Sequence, residues 1–250
     1  MPLSPADVTI RWLPLEERRD WERLEPLLDG DERQRAARFR FAADRHAFIA
    51  AHALTRTVLS AAAPAIAPAA WRFTATDHGR PEIAPALAEQ AGSPPLRFNL
   101  THTRRLVAVA VCRGHDVGLD TEDAGRDSLT MDLAARFFAP AEVAQAAALP
   151  PAPRREALYA FWTLKEAYIK AVGLGLSVPL DAFAFTLAPV MTDPPAIGFT
   201  PRHPGDPAEW LFRRFRPLPD HPMALALRHP DPDRVRVSCD RAAADALPAG

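Results

Sequence analysis

Cysteine is scarce in this chain: there are two in 250 residues, Cys112 and Cys239. Two isolated thiols make neither a disulfide framework nor a zinc-ligand spacing, and they read as small buried hydrophobes. An excess of either charge sign is also lacking. Lys and Arg number 30 and Asp and Glu number 31, a formal net charge of -1. No global field then draws the molecule to nucleic acid, and any phosphate binding must come from local clusters of Arg or Lys. No stretch approaches about 18 consecutive uncharged apolar residues. The opening MPLSPADVTIRWLPLEERRDW has no basic segment followed by an apolar one. Both absences argue against a membrane helix and a secretory leader, and the expectation is a soluble cytoplasmic protein.

Apolar residues make up 48% of the chain and charged residues 24%, enough for a packed core. The length suits one large domain or two small ones. Proline is frequent, at 27. AAAPAIAPAAW (61–71), LPPAPR (149–154) and TDPPAIGF (192–199) read as loops. Their prolines are scattered among alanines and are not a polyproline ligand pattern.

The pattern along the chain predicts strands at 8–14, 96–103 and 105–112, with one or two helices over 31–62 capped by Asp29 or Asp31. A similar order follows. Residues 115–122 read as a strand, 130–149 as a helix interrupted by Pro140, and 153–176 as a strong helix stopped at Gly173. Strands then follow at 183–187, 209–218, 221–228 and 234–239. The repeat is one of element order, since residue identity between the halves is weak. It predicts an α+β fold of two similar halves, 1–112 and 113–250. A cleft between halves is a favoured place for a ligand.

Four constellations carry chemistry. In VGLDTE (117–122), Asp120 and Glu122 stand two apart, so a strand puts both carboxylates on one face. Two oxygen ligands with substrate phosphates and waters suit magnesium; an exposed acidic turn is the alternative. In FWTLKEAYIKA (161–171), Leu158, Phe161, Tyr168, Ile169 and Val172 share a helical face, with Lys165 among them. Glu166 and Lys170 lie on a neighbouring polar face. They read either as a surface ion pair or as groups aimed at a phosphate–metal centre. In RFNLTHT (97–103), Thr101 and His102 sit where a strand enters a turn, able to donate to phosphate or merely to backbone. Arg33, Arg35, Arg38 and Arg40 crowd one short helical stretch, and Arg80 lies in a Gly/Pro turn; guanidinium forks suit phosphate.

In this order and spacing the motifs resemble the Sfp-type 4′-phosphopantetheinyl transferases. The residues are Gly118-Leu119-Asp120-Thr121-Glu122, then Trp162-Thr163-Leu164-Lys165-Glu166-Ala167. Upstream lie Phe98-Asn99-Leu100-Thr101-His102-Thr103 and Gly79-Arg80-Pro81. Arg136-Phe137-Phe138 with Glu142, and the run from Lys170 to Phe183, are similar to the family's connecting segments. The resemblance spans about residues 10 to 190.

The resemblance implies a pseudo-twofold pair of α+β halves with the active site in the cleft between them. It implies transfer of 4′-phosphopantetheine from coenzyme A to a serine of an apo acyl or peptidyl carrier protein, with Mg2+, releasing adenosine 3′,5′-bisphosphate. Asp120, Glu122 and Glu166 would hold the metal. Glu166, or a water it orients, would serve as base, and Lys170 with Lys165 would neutralise charge. Arg35, Arg38, Arg80, Thr101 and His102 would hold coenzyme A, with Lys170 on its phosphates. Arg126, Arg136, Leu133, Phe137 and Phe138 would receive the carrier. The pseudo-symmetry implies a monomer. Departures are Thr101 for Ser, Arg80 for Lys, Glu32 for a basic residue and Phe48 for a small hydroxyl residue. Two other readings stay open: a catalytically degenerate carrier-binding relative, and a metal-dependent phosphohydrolase.

Overall fold

A computed structural model describes residues 3–18, 20–126, 128–187 and 195–248. In chain order the strands and α-helices are β1 (Asp7–Pro14), α1 (Gly30–Ala37), α2 (Ala42–Ala62), β2 (Phe73–Ala75), β3 (Pro81–Ile83), α3 (Pro85–Gln90), β4 (Leu96–His102), β5 (Leu106–Arg113) and β6 (Val117–Thr121). They continue with α4 (Met131–Phe137), α5 (Pro140–Ala147), α6 (Pro151–Val172), β7 (Phe183–Thr186), β8 (Ala196–Phe199), β9 (Trp210–Leu218), β10 (His221–Arg228) and β11 (Arg236–Arg241). The mixture is α+β, as predicted.

Contacts divide the chain into two compact units, residues 1–115 with 235–250, and residues 116–234. Sequence order grouped 113–250 together, yet the C-terminal strand belongs to the first unit. The reason is pairing: β11 lies parallel to β1, with Asp7 opposite Arg236 and Trp12 opposite Arg241. Ala244 and Leu247 then enter the first unit's core.

In the first unit the sheet order is β11-β1-β5-β4. Alternation sends Leu13, Leu96, Phe98, Val107, Val109 and Val111 into one core, where α2 supplies Phe48, Ile49 and Leu54. Helix α1 begins with a capping box: Asp29 accepts from Glu32 N while the Glu32 carboxylate accepts from Asp29 N. Glu32 also meets Arg56, 2.5 Å away, and His52, 2.7 Å away. Arg56 is fully buried and donates to Trp71 O at 2.7 Å. Glu32, the departure from a basic residue, is therefore a structural hub.

In the second unit, the sheet β6-β10-β9 packs against α6. Gly118 shares a strand face with Asp120 and Glu122 by alternation, and pairs with Ala226 as Asp120 pairs with Ala224. Glycine is needed at 118 because a Cβ there would lie 1.9 Å from Ala167 O and 2.5 Å from Ala171 N. The strand thus touches the helix backbone, beside two alanines. The helix ends at Gly173, whose φ of 76° is the left-handed C-cap predicted from sequence.

Three expectations change. Residues 130–149 form two helices rather than one, because Pro140 opens α5 instead of kinking a continuous helix. Helix α6 starts at Pro151, inside a stretch read as loop. Part of TDPPAIGF is strand β8, paired with β7; residues 192–194 lie outside the described residues.

Candidate active site

Helix α6 presents three half-buried residues at intervals of four, Trp162, Glu166 and Lys170, while most of its middle turns are buried. A four-residue step moves only about 40° around a helix, so the three form one stripe. The stripe meets the acidic end of β6. Lys170 Nζ donates to Asp120 Oδ1 at 2.6 Å and to Leu119 O at 3.2 Å. Trp162 Nε1 donates to Glu122 Oε1 at 3.0 Å. Close approach at Gly118 makes these reaches possible.

The carboxylates act on one another. Burial first, then repulsion from Asp120 and a smaller push from Glu166, raises the Glu122 carboxyl to about 7, against the pull of Trp162 and Lys170. Burial, followed by repulsion from Asp120, also raises Glu166, with Lys170 opposing. Asp120 repels both carboxyls and Glu166 repels Glu122, while Lys170 is the cation that opposes them.

Among the described residues, no group of three or more His, Cys, Asp or Glu side chains is gathered to hold a metal unaided. Asp120 is turned to Lys170 and Glu122 to Trp162. The set still has the character magnesium takes: hard carboxylate oxygens in surplus over cations, at a site where one or two protein ligands with phosphate oxygens and water suffice.

Lys165 requires a correction. The structure buries it completely, 2.8 Å from Glu142, itself fully buried. Its ammonium also donates to Leu180 O at 2.7 Å and Phe183 O at 2.8 Å. Glu142 in turn accepts from Ala139 N and Phe185 N. Three donors and three acceptors are used internally, so Lys165 has no proton donor left for a substrate phosphate. It ties α6 to α5 and β7 instead.

The remaining predicted residues belong to the first unit. Arg35 and Arg38 are exposed, on α1 and at its C-terminal cap, and the Arg35 guanidinium lies 5.5 Å from the centre of the Phe48 ring. Phe48 itself is buried and stacks near His52, so its departure from a small hydroxyl serves the core. Arg80 follows Gly79, whose φ is +80°, in the turn between β2 and β3. With Glu82, Leu96 and Phe98 it lines a cavity of about 240 Å³. Thr101 is buried and His102 exposed at the end of β4. Thr103 closes the next turn by accepting from Arg105 N and Leu106 N.

Of the carrier-facing candidates, Arg126, Arg136 and Phe137 are exposed and Leu133 is half-buried. Phe137 is 41% exposed, with the Arg136 guanidinium 5.9 Å from its ring centre. Phe138 is removed from the group: it is buried against Phe161 and Trp162.

The sequence reading gave Trp162 no task beyond its motif. The available signal was its position four residues before Glu166, which places it on the same stripe. Among the described residues, no helix is long and apolar enough to cross a membrane.

Comparison with known proteins extends this picture across both units. Residues 116–226 match a family model described as the 4′-phosphopantetheinyl transferase superfamily, and residues 10–114 match one described as 4′-phosphopantetheinyl transferase, N-terminal. A 4′-phosphopantetheinyl transferase of Bacillus subtilis is 33% identical over 166 residues, covering 66% of this chain and 69% of its own. The 4′-phosphopantetheinyl transferase HetI of Nostoc sp. is 32% identical over 178 residues, 71% of this chain and 72% of its own. The 4′-phosphopantetheinyl transferase Sfp of Bacillus subtilis strain 168 is 27% identical over 210 residues, 84% and 86% of the two chains. With its carboxylate–ammonium stripe inside one matched segment and its Arg, Thr and His candidates inside the other, this chain belongs to the 4′-phosphopantetheinyl transferase superfamily, a family of transferase enzymes.

Proposed function

We propose that this protein moves 4′-phosphopantetheine from coenzyme A to a serine of an apo acyl or peptidyl carrier protein, with Mg2+, and releases adenosine 3′,5′-bisphosphate. The observation that carries the reading is the meeting of Asp120 and Glu122 with Glu166 and Lys170 at motif positions. The serine Oγ forms a bond to the pantetheine-bearing phosphorus, and the bond to the bridging oxygen of the nucleotide breaks. Such a transfer needs positioning and charge neutralisation more than covalent help. When bound, Mg2+ supplies that neutralisation at the diphosphate.

The chain's own residues do the rest. Asp120, Glu122 and Glu166 offer oxygens to the ion. Glu166, its carboxyl raised by burial and by Asp120, is better matched than an ordinary carboxylate to take the serine proton, directly or through water. Lys170 holds Asp120 and Leu119 O with two N–H groups and keeps its third for the diphosphate. Arg35, Arg38, Arg80, Thr101 and His102 hold the nucleotide end of coenzyme A as cations and hydrogen-bond donors.

Arg126 and Arg136, with Phe137 and Leu133, form the landing surface for an acidic carrier. Reversing both arginines to Glu is expected to raise the KM for carrier at least tenfold while sparing the KM for coenzyme A; an unchanged carrier KM removes this surface from the proposal.

The deciding experiment incubates the protein with coenzyme A, Mg2+ and an apo carrier domain, then weighs the carrier intact. A phosphopantetheine adduct is the expected result. An unmodified carrier indicates a binding relative without catalysis. Nucleotide cleavage without an adduct indicates a phosphohydrolase.

A further inference from the structure

We infer that Trp162 is a positioning residue whose indole N–H orients the Glu122 carboxylate toward the divalent cation. This rests on the metal reading proposed above and assigns a new task within it. Each of the three carboxylates is held differently. Glu166 projects from the middle of a 22-residue helix. Asp120 lies within β6 and is gripped by Lys170 at 2.6 Å. Glu122 stands just past the last residue of β6. Its backbone is fixed, since Glu122 N donates to Pro222 O at 3.2 Å and the neighbouring Thr121 hydroxyl donates to the same oxygen at 3.0 Å. The side chain beyond is fixed by Trp162, 3.0 Å from Oε1.

The tryptophan is itself anchored. Its ring centre lies 6.2 Å from that of Phe138, and Phe138 lies 6.1 Å from Phe161 of the same helix. An aromatic ring pinned in this way carries a donor that cannot rotate independently. Indole is also donor-only, so it can bond a carboxylate oxygen and cannot compete with it as a cation ligand. Packing alone would not need the N–H: phenylalanine would fill the half-buried site and leave the carboxylate free to swing. Partners that orient a ligating side chain are typically worth about 10–100-fold in metal affinity.

The test titrates Mn2+, a paramagnetic stand-in for Mg2+, into the protein saturated with coenzyme A, with coenzyme A alone as the blank, and follows the free ion by electron paramagnetic resonance. Trp162→Phe is compared with the unchanged chain. A second protein carries benzothienylalanine at 162, which keeps the bicyclic shape without the donor and covers the case in which Phe packs poorly. Both replacements are expected to weaken Mn2+ binding about 10–100-fold with unaltered circular dichroism. In a Glu122→Gln background the same replacements are expected to have little further effect, because the interaction they remove is already gone. Mn2+ affinity unchanged by either replacement overturns the role of Trp162 alone. So does a loss of the same size in the Glu122→Gln background. No Mn2+ binding by the unchanged protein with coenzyme A beyond that of coenzyme A alone overturns the metal reading, and this inference with it.

Discussion

Two lysines five positions apart on α6 show how burial assigns a residue its work. Lys165 is 0% exposed and spends its donors on Glu142 and two carbonyls. Lys170 is half-buried and reaches Asp120. The motif places both, but its letters do not distinguish an internal tie from a reactive ammonium. At the site, Asp120→Ala and Glu166→Gln are each expected to reduce transfer by at least about 10²-fold, the usual scale for losing a positioned acid–base group, with circular dichroism unchanged. Substantial turnover in either variant counts against the assignment. Glu32 gives a stability prediction. Burial alone would raise its carboxyl, but His52 and Arg56 outweigh burial and hold it at about 2, below the ordinary 4.5. A carboxylate held down on folding contributes stability above its unfolded value, and that contribution fades as pH falls from about 4.5 toward about 2. Urea midpoints measured between pH 6 and pH 2 are therefore expected to fall in the unchanged protein. They are expected to fall less steeply in Glu32→Gln, which starts lower at neutral pH. Parallel curves refute the coupling.

The elements carrying the site were largely legible. Alternation put Gly118, Asp120 and Glu122 on one face of a strand, and helical spacing grouped Glu166 with Lys170. The stop at Gly173 followed from glycine's tolerance of a left-handed conformation. Less legible was the break between α4 and α5, where proline could either kink a helix or start one. Strand β8 was hidden because its pairing with β7 is a tertiary fact, and AIGF between prolines has no period of its own. The glycine of the motif gains its meaning only at the level of packed elements. Gly118→Ala drives a methyl into Ala167 O and Ala171 N. It is expected to destabilise the protein by at least about 1–3 kcal/mol through overpacking and to impair transfer by moving β6 off α6. Gly30→Ala, where a Cβ meets nothing within 4 Å, is the matched control and is expected to leave the melting temperature unchanged or higher. Equal melting temperatures for the two variants would show that the contact is not limiting.

At the scale of the molecule, the chain returns on itself: its last strand completes its first sheet. Leu247 is 4% exposed within the first unit's core. Leu247→Ala is expected to cost about 2–5 kcal/mol, with amide-exchange protection lost from β1, β5 and β11. A cost near zero would mean that the C-terminal segment is peripheral. The string of residues already determined the α+β class, the repeated order of elements and the residues that carry the family's chemistry. Periodicity, turn residues and motif spacing are local properties, and local properties are written in sequence. Only the folded chain decided that β11 belongs to the first unit, that Lys165 and Phe138 are internal, and that Trp162 bonds Glu122. Each of these depends on which groups exclude water from which others across 15 to more than 200 residues of chain. No spacing rule encodes that exclusion, because burial is a property of neighbours in space.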